Sequence, residues 1–437
     1  MKTMSKLAIA LVGAAGVALA AESAQAQLVL NGAGSSAGRL FAGDSPAAIC
    51  AASPTPLLFV SSEGTPNKYE WQCTVNGVAN SRIRYSASAS ADGYLFQPNG
   101  AVGTATYLNV ATCPAGSPVT ILGKTVTKSV CPAATPTQTL TVHWGGSDVK
   151  ASSIHQSAFG TTLAPPASGH LTATPTVIVP FSIVVGGNVR GWTNPVPPAL
   201  PVLTPLVSLT EDEIRQILAG NVANWTDLGY AVSAGSAAIV TCQRTVGSGT
   251  LATLDETIMR TKFWSGGINP VASATNVANA SSSNMVTCIN TNQNSIGYLD
   301  SDSVTATNFP NGAYQVAIGG RPINAKFDTD GTTVLVGKAR LTALRCGRYP
   351  YWADWNFITR NAGVEVAPIS AVSGTNAAIT ALGTAMTNNN PLPDFWLSEN
   401  DTFVFKNDDR GPHNWFTPSG NGENVTDVCV GAGVSQQ

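Results

Sequence analysis

The chain is 437 residues long, only 11% of it charged, and its 23 basic and 25 acidic side chains leave a formal net charge of −2. That balance excludes the global basic field that holds nucleic acid or an anionic membrane surface. The length allows two or three domains with cores of their own.

Lys2 and Lys6 precede an apolar run over 7–21, and Ala24-Gln25-Ala26 is a small-x-small site. This pattern predicts a secretory signal over 1–26, cut after Ala26. No cysteine closely follows the cut and no later stretch has a membrane-spanning apolar length, so a periplasmic or secreted protein without a lipid anchor is expected. Eight cysteines in an exported chain imply four disulfides. Nearest-neighbour pairing (Cys50–Cys73, Cys113–Cys131, Cys242–Cys288 and Cys346–Cys429) is one of about a hundred connectivities. None of them is spaced Cys-x-x-Cys, and the four histidines (His143, His155, His170, His413) are scattered, so neither a metal nor another cofactor is expected.

The mature chain opens on an apolar strand, Leu28-Val29-Leu30, followed by the small-residue turn Asn31 to Gly38, with a helix opening over Ser36 to Phe41. Residues 42–80 and 94–140 are rich in Pro, Gly, Ser, Thr and Asn and hold the first four cysteines. Between them Arg82 to Tyr85 alternates as a strand and ends in a Ser/Ala turn, Ser86 to Gly93. Thr139 to His143 alternates again and is closed by Trp144-Gly145-Gly146-Ser147-Asp148. Three strands therefore end in small, hydroxyl-bearing turns, and in an open α/β sheet ligands sit at the carboxyl ends of strands. Asp148 is the one carboxylate in its turn. It reads either as a helix cap or as the acceptor of a proton carried by an anion.

Pro175 to Val189 is a β-branched run suited to a central strand. Thr210 and Glu213 form a capping box for a helix with Ile214, Ile217 and Leu218 on its apolar face and Gly220 at its end. Asn224-Trp225 follow in a turn, and Ala237 to Val240 is a short strand leading to Arg244-Thr245-Val246-Gly247-Ser248-Gly249-Thr250. Leu251, Leu254, Ile258, Met259 and Phe263 recur at helical steps, which predicts a helix over 251–264. A glycine-rich turn feeding a helix directs backbone N–H groups at one spot; Ser248 and Thr250 add hydroxyls, and Arg244 a planar fork suited to oxyanions. The same residues also read as an ordinary N-capped helix beside an unrelated arginine. Beyond it, 265–285 is loop-like, Asn294 to Leu299 a buried strand, Tyr314 to Ile323 a hairpin, and Asn376 to Met386 a helix. Trp396, Phe403, Phe405 and Trp415 are candidate packing anchors near the end of the chain.

Taken in order, NGAGSS, RYSASASADG, GGSD, PTVIVPFSIVVGGNV, LTEDEIRQILAGNVANWTDLG, RTVGSGT, NSIGYL and CGRYP resemble the periplasmic phosphate-binding protein of bacterial phosphate ABC transporters. The resemblance runs from Leu28 to Pro350. It implies an α/β, two-lobe type II periplasmic-binding-protein fold, here with disulfide-bearing insertions at about 42–80 and 94–138. It divides the chain into a first lobe over 27–183, a second lobe over 184–297, and a return to the first lobe with a C-terminal extension over 298–437. It also implies capture of inorganic phosphate without catalysis, by a monomer that feeds an inner-membrane ABC permease or scavenges the ion outside the cell. Position by position it implies phosphate contacts from Ser36, the Ala37 amide, Ser90, Asp148, Arg244, Ser248, Gly249 and Thr250, with Asp148 accepting the ligand's proton. Several positions depart from the family's pattern. Val246 stands where an acidic neighbour of the arginine is common, Ala37 where an aromatic is frequent, and Asp92 where a small residue is usual. Two readings from other classes stay open on residues alone. One is a surface or adhesive protein on the same scaffold, suggested by the insertions; the other is a secreted phosphatase, although no activated nucleophile is visible.

Overall fold

A computed structural model of the protein describes residues 27–62, 66–95, 103–154, 156–192, 202–260, 271–324, 337–361, 375–388, 392–393, 395–398, 401–402, 404–406, 413–415 and 429. Residues 1–26, where the sequence predicts a signal, lie outside them, as do His155 and Phe403 and the side chains of Phe405, His413 and Trp415.

In chain order the strands are β1 (Val29–Ser35), β2 (Leu57–Val60), β3 (Lys68–Val75), β4 (Val78–Ser88), β5 (Thr104–Leu108), β6 (Ser117–Ile121), β7 (Lys124–Val130), β8 (Thr137–Thr141) and β9 (Trp144–Ser147). There follow the short hairpin β10 (Gln156–Ala158) and β11 (Thr161–Leu163), then β12 (Leu171–Val185), β13 (Val189–Trp192), β14 (Leu203–Pro205), β15 (Ser208–Leu209), β16 (Ala231–Val232), β17 (Val240–Arg244), β18 (Asn276–Asn279), β19 (Ser295–Asp300), β20 (Tyr314–Ile318) and β21 (Trp352–Arg360). The main sheet runs β6-β7-β2-β3-β4-β1-β9-β21-β12-β19-β17-β18, with helices between its parallel strands. The architecture is α/β, and the disulfide-bearing insertion supplies the strands at one end of the sheet.

One strand joins the two halves. The first part of β12 pairs with β21, from Leu171↔Arg360 to Pro180↔Trp352, and the second part pairs with β19, from Phe181↔Asp300 to Val185↔Ile296. The exchange of partners falls at Pro180, a residue with no N–H to give to a ladder. Residues 176–185 are all buried, which is why this run lacks polar alternation. β20 also pairs with the second part of β12, so the polypeptide rejoins the first half at β21.

Several sequence expectations needed correction. The glycine- and serine-containing stretch after Leu30 continues β1 as far as Ser35, because parallel partners on both sides, β4 and β9, take up its backbone groups. The helix that follows spans Arg39–Asp44 rather than starting at Ser36. The alternating run near 139–143 is β8, which pairs with β5 away from the main sheet. Trp144–Ser147, expected as its closing turn, takes the central position instead. Trp144 is fully buried against Tyr85, and a Cβ on Gly145 would lie 2.1 Å from the Gly93 carbonyl oxygen, so this strand tolerates no side chain there.

β17 extends to Arg244 itself rather than ending at Val240, and β18 lies inside the stretch expected as loop. Both were hidden by polarity. The buried Thr241 hydroxyl and Gln243 amide donate to the Asn276 side chain at 2.7 and 2.8 Å, so polar residues occupy core strand positions with partners. The helix expected over 251–264 is a Gly249–Leu254 helix followed by a π turn, Asp255–Met259, ended by Arg260 at φ +52°. Phe263 falls outside the described residues.

Other expectations hold. All four disulfides pair as nearest neighbours. The last predicted helix appears as Thr375–Asn388, and Trp396 packs on Phe41 with ring centroids 5.5 Å apart. No helix among the described residues is long and apolar enough to cross a membrane. The Glu211–Leu218 helix carries its predicted capping box, with the Thr210 Oγ1 accepting from the Glu213 N–H at 3.1 Å and the Glu213 carboxylate accepting from the Thr210 N–H at 2.7 Å. Thr210→Ala should therefore lower stability by about 1 kcal/mol. Urea unfolding would register this as a lower midpoint at unchanged slope.

Candidate anion-binding site

β4 and β9 both run parallel to β1, so their carboxyl ends lie side by side. There the Ser90 hydroxyl donates to Asp148 Oδ2 at 2.8 Å, and Ser35 donates to Asp148 Oδ1. Asp148 is 1% exposed. It does not cap a helix, since the next helical turn, Ala151–Ser153, has Lys150 at its N-cap with no side-chain bond. Each carboxylate oxygen keeps a lone pair beyond its serine, so Asp148 can still accept a proton from a ligand. Asp92, the departure in the second turn, accepts from the Ser88 hydroxyl and from the Ala89 N–H at 3.3 Å. It staples the turn that carries Ser90.

From the other half, β17 ends in Arg244, 1% exposed. Tyr298 on β19 accepts the Arg244 backbone N–H at 2.9 Å, and the Tyr351 hydroxyl donates to the Thr250 carbonyl at 2.9 Å, so two tyrosines hold both ends of this loop. The guanidinium Nη2 donates to Ser36 Oγ at 3.3 Å and to the Ala280 carbonyl at 3.2 Å, while Nε and Nη1 have no hydrogen-bond partner. Val246 packs against the core.

Ser248 caps the following helix by accepting the Leu251 N–H at 3.2 Å, a bond that uses a lone pair and not the hydroxyl proton. The capped-helix reading of this stretch therefore holds, and it leaves the Ser248 hydroxyl proton outside the cap bond. The Ala91 N–H donates to the Gly247 carbonyl at 2.9 Å, and a Cβ on Gly249 would lie 2.4 Å from Ser90 Oγ and 2.8 Å from Asp148 Oδ2. Glycine at 249 lets the second half close directly over the Ser90–Asp148 pair.

Ser36 and Arg244 are thus linked across the two halves of the sheet, as are Ser90, Asp148 and Gly249, while Ser248 sits next to Gly249 with its cap bond inside its own helix. Ala37 and Thr250 are buried beside them, each 1% exposed, without a side-chain hydrogen bond to the rest of the set. Sequence reasoning missed Ser35, whose only signal was adjacency to Ser36, and Ser282, which lay in the stretch expected as loop. It also missed the tyrosine supports, although NSIGYL and CGRYP had flagged their neighbourhoods. Among the described residues no group of three or more His, Cys, Asp or Glu is placed to hold a metal ion. His143 is a half-buried histidine whose pKa burial lowers to about 4, its Nδ1 accepting the Asn31 N–H at 3.1 Å.

The family model of the PBP superfamily domain matches residues 122–382, more than half of the chain. The chain belongs to the PBP superfamily. Membership places it among substrate-binding proteins rather than enzymes. Among curated proteins none matches. A protein from Clostridium perfringens, solved with bound phosphate and named for a phosphate ABC transporter, is 13% identical over 81% of this chain and 92% of its own, with a TM-score of 0.44. A high-affinity periplasmic phosphate-binding protein, PfluDING, is 15% identical over 94% of this chain and 100% of its own, with a TM-score of 0.43. The phosphate-binding protein from Stenotrophomonas maltophilia is 15% identical over 81% and 89%, with a TM-score of 0.38.

In this PBP-superfamily chain the electrostatics around Arg244 and Asp148 are set by burial. Burial lowers the pKa of Arg244, an effect opposed by Tyr298, Asp300 and Asp148. Next to the site Arg39 bonds the Ser36 carbonyl at 2.8 Å and Asp300 at 3.1 Å, a buried ion pair between the helix after β1 and the end of β19. Burial, followed by the nearby Asp300 charge, pushes the Asp302 carboxyl up from its ordinary range. Burial also raises Asp148 from 3.8 to about 6, against the lowering effect of its two serine bonds.

A raised carboxyl favours the fold fully below its unfolded value, and that contribution is lost as pH rises through about 6. The rise corresponds to about 3 kcal/mol once Asp148 is fully ionised. Asp148→Asn should therefore gain stability relative to the unsubstituted protein between pH 4 and 6, by up to about 3 kcal/mol with a plateau above pH 7. Ligand-free melting curves across that range would show it.

Proposed function

We propose that this chain captures inorganic phosphate in the cleft between its two halves, serving ABC-type uptake or extracellular scavenging. The observation that carries the reading is Arg244, 1% exposed with Nε and Nη1 unpartnered, in a site that also holds the buried carboxylate Asp148. A buried guanidinium with unused donors suits an oxyanion. A buried carboxylate beside it suits only an anion that brings a proton. Phosphate and arsenate do so at neutral pH, and sulfate does not. Facing Asp148, sulfate meets an unrelieved like-charge repulsion.

In this scheme Ser36, Ser90, Ser248 and Thr250 donate hydroxyls, the Ala37 and Gly249 amides donate backbone N–H groups, Arg244 supplies the charge, and Asp148 accepts the ligand's proton. We assign residues 27–183 and the return from β21 to one lobe, and 184–297 with the adjoining β20 to the other, with β12 crossing between them. The protein acts as a monomer, exported by the signal over 1–26, and delivers phosphate to a permease where one is present.

Calorimetry on the purified protein tests the reading. Phosphate should bind one-to-one and sulfate at least about a hundredfold more weakly, since a buried unpaired repulsion costs several kcal/mol. Arg244→Ala should weaken phosphate binding by roughly 2–5 kcal/mol. Asp148→Asn should narrow the gap between phosphate and sulfate, because the amide can donate to either anion. Absence of heat with phosphate at micromolar protein, or an Arg244→Ala variant that binds as before, would sink the proposal.

A further inference from the structure

The donors assigned so far leave unexplained why the Arg244 guanidinium turns toward the segment after β18. Its Nη2 donates to the Ala280 carbonyl at 3.2 Å and to Ser36 Oγ at 3.3 Å, and Ser36 Oγ lies 3.2 Å from the hydroxyl of Ser282. Ser282 is fully buried and is the first residue of a ten-residue helix, Ser282–Thr291. Ser281 caps that helix by accepting the Asn284 N–H at 3.2 Å. The first N–H groups of any helix have no partner within it, and its dipole favours an anion at that end. Independently of the helix, Arg244 is buried at this place with Nε and Nη1 unpartnered.

The helix is also pinned to the arginine. Cys242 on β17 is disulfide-bonded to Cys288 in the helix, Arg244 pairs with Asn279 in the parallel ladder, and the Asn279 side chain donates to the Gln243 carbonyl at 3.3 Å. Ser282 therefore keeps a set position relative to the guanidinium. Ser36, in contrast, comes from the opposite half, so the Ser36–Ser282 contact spans the cleft at the anion's expected position.

The geometry points to Ser282 as a ligand-contacting, specificity-determining residue of the site, donating its hydroxyl to the anion beside Arg244 and Ser36. This inference rests on the phosphate reading above. A tetrahedral anion needs donors in more than one plane, and Ser282 adds a hydroxyl to the arginine fork through their shared neighbour Ser36. With Val246 in the loop, the Ala280 carbonyl at the foot of the same helix holds the guanidinium where an acidic neighbour would otherwise do so. Ser36, Arg244 and Ser282 are each at most 4% exposed, so their polar atoms gain most from a ligand that replaces water, while Ala280 beside them is exposed.

Calorimetry with inorganic phosphate on the full mature chain tests this. Ser282→Ala should weaken binding about tenfold or more, as loss of a hydrogen bond to a charged group does, while Thr287→Ala, exposed on the same helix, should bind as the unsubstituted protein. If Ser282→Ala binds phosphate undiminished while Arg244→Ala does not, Ser282 only packs against Ser36; the inference falls and the phosphate reading stands. If Ser282→Ala also lowers the ligand-free melting temperature, Ser282→Thr decides. Affinity restored to within about threefold by the retained hydroxyl supports the contact, and affinity not restored overturns it. If the unsubstituted protein binds no phosphate, the reading of the site itself has failed.

Discussion

Arg244 and Asp148 are both withdrawn from water, and no ion pair joins them among the described residues. Each buried charge costs several kcal/mol unless something else engages it. Asp148 is partly relieved by the Ser35 and Ser90 hydroxyls, and Arg244 by Ser36 and the Ala280 carbonyl. The relief is incomplete on both sides: Asp148 is raised to about 6, and two donors of Arg244 are unused. In the phosphate-binding role proposed above, an anion carrying a proton would satisfy both residues at once, so the imbalance that costs stability in the ligand-free protein would favour binding.

Much of the remaining structure holds this pair in place. Parallel strands bring three turns of the first half to one edge, and β12 carries the chain into the second half by exchanging partners at Pro180. Tyr298 and Tyr351 fasten the backbone of the arginine loop, and glycine at 249 allows that loop to meet Ser90 and Asp148. The buried Arg39–Asp300 pair couples the helix after β1 to the end of β19 and also holds the Ser36 carbonyl. Serine 36 is thus connected to both charged systems, through its carbonyl to Arg39 and through its hydroxyl to Arg244 and Ser282. Charge balance in the neighbourhood is delicate. Asp300 is paired with Arg39, whereas burial raises Asp302, which takes an indole hydrogen bond from Trp396.

The misread elements share one cause. β17 and β18 carry Thr, Gln and Asn in their interiors, and a hydropathy pattern counts those residues as loop. They become strand residues only because Asn276 meets Thr241 and Gln243 across the ladder. Trp144–Ser147 likewise reads as a turn, and becomes a central strand because Tyr85, Trp355 and Gly93 close around its glycines. Where local chemistry alone suffices, the reading was sound. The Thr210 capping box, the β-branched run of β12 and the nearest-neighbour disulfides each depend on a few residues close in sequence or on a simple pairing rule.

By itself the sequence determined an export signal as an expectation and a set of small-residue turns with one arginine and one carboxylate, while the α/β class and the oxyanion role came through the resemblance those motifs carry. The turns are matters of residue type and local spacing, which no folding is needed to read. Only the tertiary structure decided that Arg244 keeps unpaired donors, that Ser35 joins Ser90 on Asp148, and that Ser282 arrives beside Ser36 from 246 residues away. Such contacts depend on strand register and on the shared strand β12, and neither is encoded in any single stretch of the chain.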